Sequence, residues 1–219
     1  MGIAEENGLK VLEDSAQAHG AEYKGKKVGS IGDCSAFSFY ATKNMVTGEG
    51  GMVTTNNKKI AEKIKKLRDH GRTKNYEHDE LGFNLRMTDI QAAIGIEQLR
   101  KLDEFNKKRR KNAEFLTKNL DGLVKTPFIS KGVKHVFHQY TIKTKNRNKL
   151  LKKLHKNKIG AKVYYSKPIH KQPLYKKMGY NDNLPVSETI SKKVLSLPVH
   201  PKLKKHDLEK IVKTIGGQL

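Results

Sequence analysis

The chain has 219 residues, enough for one large domain or two small ones. Lysine and arginine number 45 against 22 acids, a formal charge of +23, and hydrophobic residues make up 36%, so the core is lean and an anionic partner has to be weighed. A single cysteine, Cys34, excludes an intrachain disulfide framework and a cysteine-rich zinc site; with no apolar run near the ~20 residues that span a bilayer and no signal-peptide core in "MGIAEENGLKVLED", a soluble, reducing, cytoplasmic setting is expected.

In chain order, "GLKVLED" (8–14) reads as a strand whose carboxyl end carries Asp14. "AEYKGKKVGS" (21–30) alternates and turns at Gly25, the pattern of a hairpin. "CSAFSFY" (34–40) and "GMVTTN" (51–56) read as two further strands, with Cys34 expected as a small buried hydrophobe. "KKIAEKIKKLRDHG" (58–71) sets Ile60, Ile64 and Leu67 on one helical face and ends at a glycine. "MTDIQAAIGIEQLRKLDEF" opens a long helix that runs to about Leu120. Thr88 and Gln91 form its capping box, and Ile90, Ala93, Ile94 and Leu102 are its expected buried stripe. Beyond it come a strand in "FHQYTIKT", a helix in "NKLLKKLHKNK" and a strand in "AKVYY". A helix end with a short strand in "SKKVLSLPVHP" and a last helix in "KKHDLEKIVKTIG" complete a small α+β unit. No internal repeat or low-complexity linker interrupts this order. Only three or four strands precede the long helix, too few for a doubly wound sheet that must cover its helices.

The basic runs "NKKRRKN" (106–112) and "NKLLKKLHKNK" (148–158) carry apolar residues at helical spacing, as a solvated amphipathic face does, without the interleaved aromatics of a single-strand binding surface. Nucleic-acid binding is therefore the weaker reading of the charge. "GAEYKGKK" (20–27) matches a phosphate loop up to its lysine but has Lys27 where the magnesium-binding hydroxyl belongs. "HVFH" (135–138) offers two histidines whose odd separation sends them to opposite faces of a strand, with no acid or cysteine nearby, so no metal site is expected. No Gly-x-Ser-x-Gly elbow supports a serine hydrolase.

"SAFSFYATKNMVTGEGG" (35–51) is different. A lysine amine attacks an aldehyde only when unprotonated, which calls for a partly desolvated setting, and "FSFYAT" frames Lys43 with apolar residues. Ser38 offers a hydroxyl to an anion, and Asp14 closes an upstream strand. Ligands of open α/β sheets collect at the carboxyl ends of strands. An acid, a hydroxyl and a lysine delivered there suit pyridoxal 5'-phosphate: acid to ring nitrogen, hydroxyl to phosphate, lysine as Schiff base. The same residues also read as a capping Asp14, a surface Lys43 and a buried Ser38.

Taken together, "EDSAQAHGA" (13–21), "GSIGDCSAFSFYATKNMVTGEGGMVTTN" (29–56), "LRDHG" (67–71), "LGFNLRMTDIQAAIGIEQL" (81–99), "YYSKPIHKQPLY" (164–175) and "VLSLPVHPKL" (194–203) resemble, in order, the motifs of the DegT/DnrJ/EryC1/StrS sugar aminotransferases. The resemblance implies an α/β protein of the fold-type I pyridoxal-phosphate-dependent transferases: residues 1–103 the later portion of the cofactor domain, with a partial sheet, and 104–219 a small α+β C-terminal domain. It implies Lys43 as the catalytic Schiff-base lysine, Asp14 against the pyridine nitrogen, Gln17 near the cofactor's hydroxyl or ring face, and Ser38 on the phosphate. Asn84 would reach the phosphate of a neighbouring subunit in a homodimer, and His170 would border the nucleotide-sugar substrate. The implied reaction carries an amino group, usually from glutamate, to a keto sugar on a nucleoside diphosphate, for surface polysaccharide or amino-sugar biosynthesis. Relatives acting as dehydratases carry histidine where this chain has Lys43.

Members of that family have a long portion of the cofactor domain before the "ED" strand, with a phosphate-binding Gly-Ser/Thr segment and an aromatic residue that stacks on the ring. These 219 residues contain neither. A truncated gene product, or one half of a split gene completed by a complementing N-terminal half, is expected to bind cofactor weakly and turn over little substrate alone. A non-catalytic interaction module and a basic nucleic-acid-binding protein are the rival readings.

Overall fold

The computed structural model describes residues 1–217, which form two compact units. The first comprises Met1–Lys107 and Ser130–His138; the second comprises Lys108–Ile129 and the chain from Gln139 onward.

In the first unit a short helix α1 (Gly2–Glu6) leads to β1 (Leu12–Asp14). The strand expected from residue 8 is shorter because residues up to Val11 are held otherwise: Leu9 N–H returns to Ala4, and Val11 N–H donates to the Asp33 carboxylate at 2.8 Å. β2 (Glu22–Tyr23) and β3 (Lys26–Lys27) form the expected hairpin, and both turn residues, Lys24 and Gly25, have positive φ. β4 (Cys34–Ser38) lies between β1, to which it is parallel, and the antiparallel β5 (Gly51–Thr54). β6 (Val133–Lys134) joins the hairpin as its third strand, pairing with β2. Cys34 is half-buried, not buried as expected, since it starts its strand at the open end of the sheet.

Helix α2 (Lys58–Leu67) is capped by Asn57, whose side chain accepts from the N–H groups of Lys59 and Ile60. The long helix α3 (Asp89–Leu120) starts at the expected box: Gln91 N–H donates to Thr88 Oγ1 and Thr88 N–H to Gln91 Oε1. Its buried stripe departs from expectation. Ile90 is 75% exposed, and Ala93 and Ile94 are exposed as well, whereas Leu102 is buried. The face turned inward is Gln91, Gly95, Leu102 and Asn106. Leu102 packs with Phe39 and Met45, against which Phe37 and Met87 rest.

The second unit takes the later turns of α3, where Ala113, Leu116 and Leu120 recur at helical spacing and are fully buried. With them pack β7 (Tyr140–Lys143), α4 (Arg147–Lys156), α5 (Pro173–Lys177), α6 (Pro185–Lys193), β8 (Val194–Leu197) and α7 (Lys205–Gly216). β7 and β8 pair antiparallel, and Ile142, Leu150, Leu154, Leu195 and Ile211 form the core they share with α4 and α7. The strand expected in "AKVYY" is a single bridge. Lys162 exchanges both backbone hydrogen bonds with Ser196, and the chain then turns away toward Pro168.

Candidate active site

In the parallel pair, Glu13 faces Ser35 and Asp14 faces Ala36. Side chains alternate along a strand and paired residues share a face, so Asp14, Ala36 and Ser38 line one face and Glu13, Ser35 and Phe37 the other. Asp14 is exposed at the carboxyl end of β1. Its Oδ1 accepts from Ala16 N–H at 3.1 Å, and Oδ2 has no partner among the described residues. Gln17 is exposed in the turn that follows. Ser38 is half-buried at the end of β4, its Oγ accepting from Tyr40 N–H at 3.3 Å.

Lys43 is half-buried in a loop closed by backbone hydrogen bonds: Lys43 N–H to Tyr40 (2.9 Å), Thr47 N–H to Phe39 (2.9 Å) and Phe39 N–H to Gly50 (2.8 Å). Nearby His19 is buried between the rings of Phe37 and Phe39, with centroids 5.4 and 5.9 Å away. Neither of its ring nitrogens has a hydrogen bond of good geometry. Burial holds the imidazole pKa below its ordinary value; the Ser38 backbone opposes that shift and the Lys43 charge adds to it.

These residues fit a pyridoxal phosphate. Asp14 would present a carboxylate oxygen to a ring nitrogen and Ser38 a hydroxyl on the same face to a phosphate, with the small, exposed Ala36 paired beside Asp14 where a flat ring would lie. Lys43 follows five residues after Ser38 in a loop that keeps it partly out of water.

The other two candidates are Asn84 and His170. Asn84 is exposed in the first unit, its Oδ1 accepting from Arg86 Nε at 3.1 Å and its backbone bridged to Asp69. His170 belongs to the second unit and is buried on a 3₁₀ turn (Ile169–Lys171). Its Nε2 lies 3.2 Å from Glu188 Oε1, and Lys171 Nζ is also 3.2 Å from that oxygen. Hydrogen bonds from His170 and then Lys171 draw the Glu188 pKa down to about 2. His170 lines a cavity of about 630 Å³ with Tyr164, Tyr165, Tyr175, Tyr180 and Ile190.

Sequence reasoning passed over Glu13, whose carboxylate accepts from the N–H groups of Gly29 (2.9 Å), Ile31 (2.9 Å) and Gly32 (2.8 Å). It also passed over Asn44 and Asn106, both buried and bonded to each other at 2.8 Å. Two buried asparagines 62 positions apart carry no local signal; the acid beside Asp14 was the one legible hint.

The model of the DegT/DnrJ/EryC1/StrS aminotransferase family matches residues 1–216. The chain belongs to that family. DegT/DnrJ/EryC1/StrS aminotransferases are pyridoxal-phosphate-dependent and of fold-type I. Among curated members, the chain is 42% identical to a Geobacillus stearothermophilus pleiotropic regulatory protein, matching 98% of this chain and 59% of the relative. It is 38% identical to the UDP-N-acetyl-3-dehydro-alpha-D-glucosamine 3-aminotransferase of Acidithiobacillus ferrooxidans, over 100% of this chain and 60% of that one. A crystal structure of a DegT/DnrJ/EryC1/StrS aminotransferase from Brucella abortus superimposes with a TM-score of 0.93 at 35% identity, covering 99% of this chain and 59% of that structure. The chain thus spans about three fifths of the length of the family members it matches.

Proposed function

We propose that the chain is the cofactor-lysine portion of a nucleotide-sugar aminotransferase, taking nitrogen from an amino acid such as glutamate and delivering it to a keto sugar on a nucleoside diphosphate. The observation that carries this reading is the β1–β4 register, which sets Asp14 and Ser38 on one face at the strand ends, just ahead of Lys43. Relatives named for such sugar transaminations support the substrate class.

Pyridoxal phosphate, when bound, supplies an electron sink for the carbon that gains or loses nitrogen. The rest of the work falls to this chain's side chains. Lys43 Nζ would hold the cofactor and, when free, would carry a proton to and from the reacting carbon as base and then acid. Asp14 keeps a proton on the ring nitrogen by charge and hydrogen bond. Ser38 Oγ donates to the phosphate, and Gln17 orients the ring from the turn after β1. Asn84 serves a neighbouring subunit of a homodimer, and His170, fixed by Glu188, borders the nucleotide sugar.

The test is borohydride trapping of pyridoxal phosphate on the purified 219-residue chain, followed by peptide mapping. Label concentrated at Lys43 over the other lysines, and lost in Lys43→Ala, is the expected result. Even labelling across the lysines removes the proposal. A non-catalytic regulator is the second reading, favoured by the 42% identity to a relative named for pleiotropic regulation; it predicts that even pattern.

A further inference from the structure

Lys43 stands in a loop, and loops seldom hold a reacting atom well unless something rigid grips them. Helix α3 supplies the grip along the inward face described above. Gln91 Nε2 donates to the Glu49 carbonyl at 3.1 Å. Four residues on, Gly95 lets the helix come close to the loop: a Cβ there would stand 3.2 Å from Thr47 Cγ2, a tight contact, and 3.8 Å from Met45 Cε. Leu102 packs on Met45 and Phe39. Asn106 then closes the series at the lysine's own neighbour.

Asn106 is 1% exposed and Asn44 4%. Asn44 Nδ2 donates to Asn106 Oδ1 at 2.8 Å and to the Val136 carbonyl at 2.9 Å. Asn106 Nδ2 donates to the His19 carbonyl at 2.8 Å. One amide therefore holds both pieces of chain that matter: the lysine loop through Asn44, and the segment leaving Asp14 and Gln17 through His19. Gly20 is shaped to this contact. It sits at φ +77°, and a Cβ on it would lie 2.9 Å from Asn106 Nδ2.

We infer that Asn106 is a positioning residue: with Asn44, it fixes the Lys43 loop against the segment that follows Asp14 and Gln17, and so sets the place of the amine relative to the acid. The inference rests on the reading of Lys43 as the cofactor lysine. Both asparagines act through backbone placement and touch no reacting atom. A buried amide pair does this better than apolar packing because its bonds are directional and each leaves an unsatisfied group if it slips.

Asn106→Leu keeps the bulk and removes both bonds, and Asn44→Ala removes only the donor to Asn106 and Val136. Asn112→Leu is the control. Asn112 is a buried asparagine of the same helix whose Nδ2 donates to the His200 carbonyl at 3.0 Å, inside the second unit. Two readouts are taken on the full chain. Amide hydrogen exchange over residues 43–47 should quicken about tenfold or more in Asn106→Leu, the order set by losing two buried hydrogen bonds, and stay unchanged in Asn112→Leu. The share of trapped pyridoxal phosphate on Lys43 should fall by a similar factor in Asn106→Leu and Asn44→Ala only. Equal exchange or labelling in the two leucine variants overturns the inference and leaves the reading of Lys43 intact. If Asn106→Leu does not fold, Asn44→Ala decides: unchanged exchange and labelling there overturn the inference too. Absence of Lys43-selective label in the unaltered chain instead overturns the functional reading, and the positioning role falls with it.

Discussion

Glu13 and Asp14 are adjacent acids with opposite duties. Strand alternation turns Asp14 to the open face and Glu13 to the other, where three backbone N–H groups of the turn between Gly29 and Gly32 converge on its carboxylate. Burial would raise the Glu13 pKa, but hydrogen bonds from Gly29, Gly32 and Ile31 outweigh it and hold the group below its ordinary value. Glutamine at this position keeps the shape but turns an NH₂ toward one or more of those donors. Glu13→Gln should therefore cost about 1–2 kcal/mol in chemical denaturation, at the lower end for bonds to a charged group because the carboxylate is only partly shielded from water. The sign of the pH dependence follows from the depressed folded-state pKa. The stabilisation is full above the unfolded value near 4.5 and is lost as pH falls through the lower folded value. The gap between wild type and Glu13→Gln should be widest near neutrality and close in acid; a gap that widens in acid would contradict the assignment.

At the scale of elements, α3 separates what a sequence pattern conveys from what it hides. Its start was legible, because a capping box is local chemistry between Thr88 and Gln91, three residues apart. Its inward face was not. Ile90 and Ile94 make the more apolar stripe, yet the first unit receives the helix along Gln91, Gly95, Leu102 and Asn106, two amides and a glycine among them. Periodicity ranks faces by hydrophobicity, while this face is chosen by how closely a backbone must approach the loop at Thr47 and by carbonyls awaiting donors. The hairpin at Lys24 and Gly25 was readable for the same reason as the capping box, and the lost strand in "AKVYY" unreadable because whether the chain after Lys162 stays beside β8 is not a local property of its residues. The consequence is measurable. Leu102→Ala should destabilise by about 2–5 kcal/mol through lost burial and the cavity left beside Met45 and Phe39. Ile90→Ala should change stability by about 0.5 kcal/mol or less. Thermal or urea unfolding of the two variants checks the ranking, and the reverse order would restore the isoleucine stripe as the buried one.

At the scale of the whole molecule, the sheet that carries Asp14 and leads into the Lys43 loop has three strands, with β1 at one edge among the described residues, and Leu12 on that strand is 68% exposed. An open edge with an exposed leucine is a place where another strand can pair. About two fifths of each matched family member lies outside the part that these 219 residues cover, and a strand from that part is the fitting occupant. The charge of +23 bears on the same point: it is the sum over three fifths of a family member's length, and the field at the site also depends on the remainder. A polypeptide of these 219 residues should therefore hold pyridoxal phosphate weakly by itself, since the β1 edge beside Asp14 is uncovered among the described residues. Adding the unmatched portion of the Acidithiobacillus ferrooxidans relative in trans should slow amide exchange at Leu12–Asp14 and raise the trapped label at Lys43, with Lys43→Ala abolishing the gain. Slowed exchange without added label would mean that the edge is completed but the pocket is not, moving the search for the rest of the pocket to the neighbouring subunit. No change in either would mean that β1 is a true edge and would overturn the prediction.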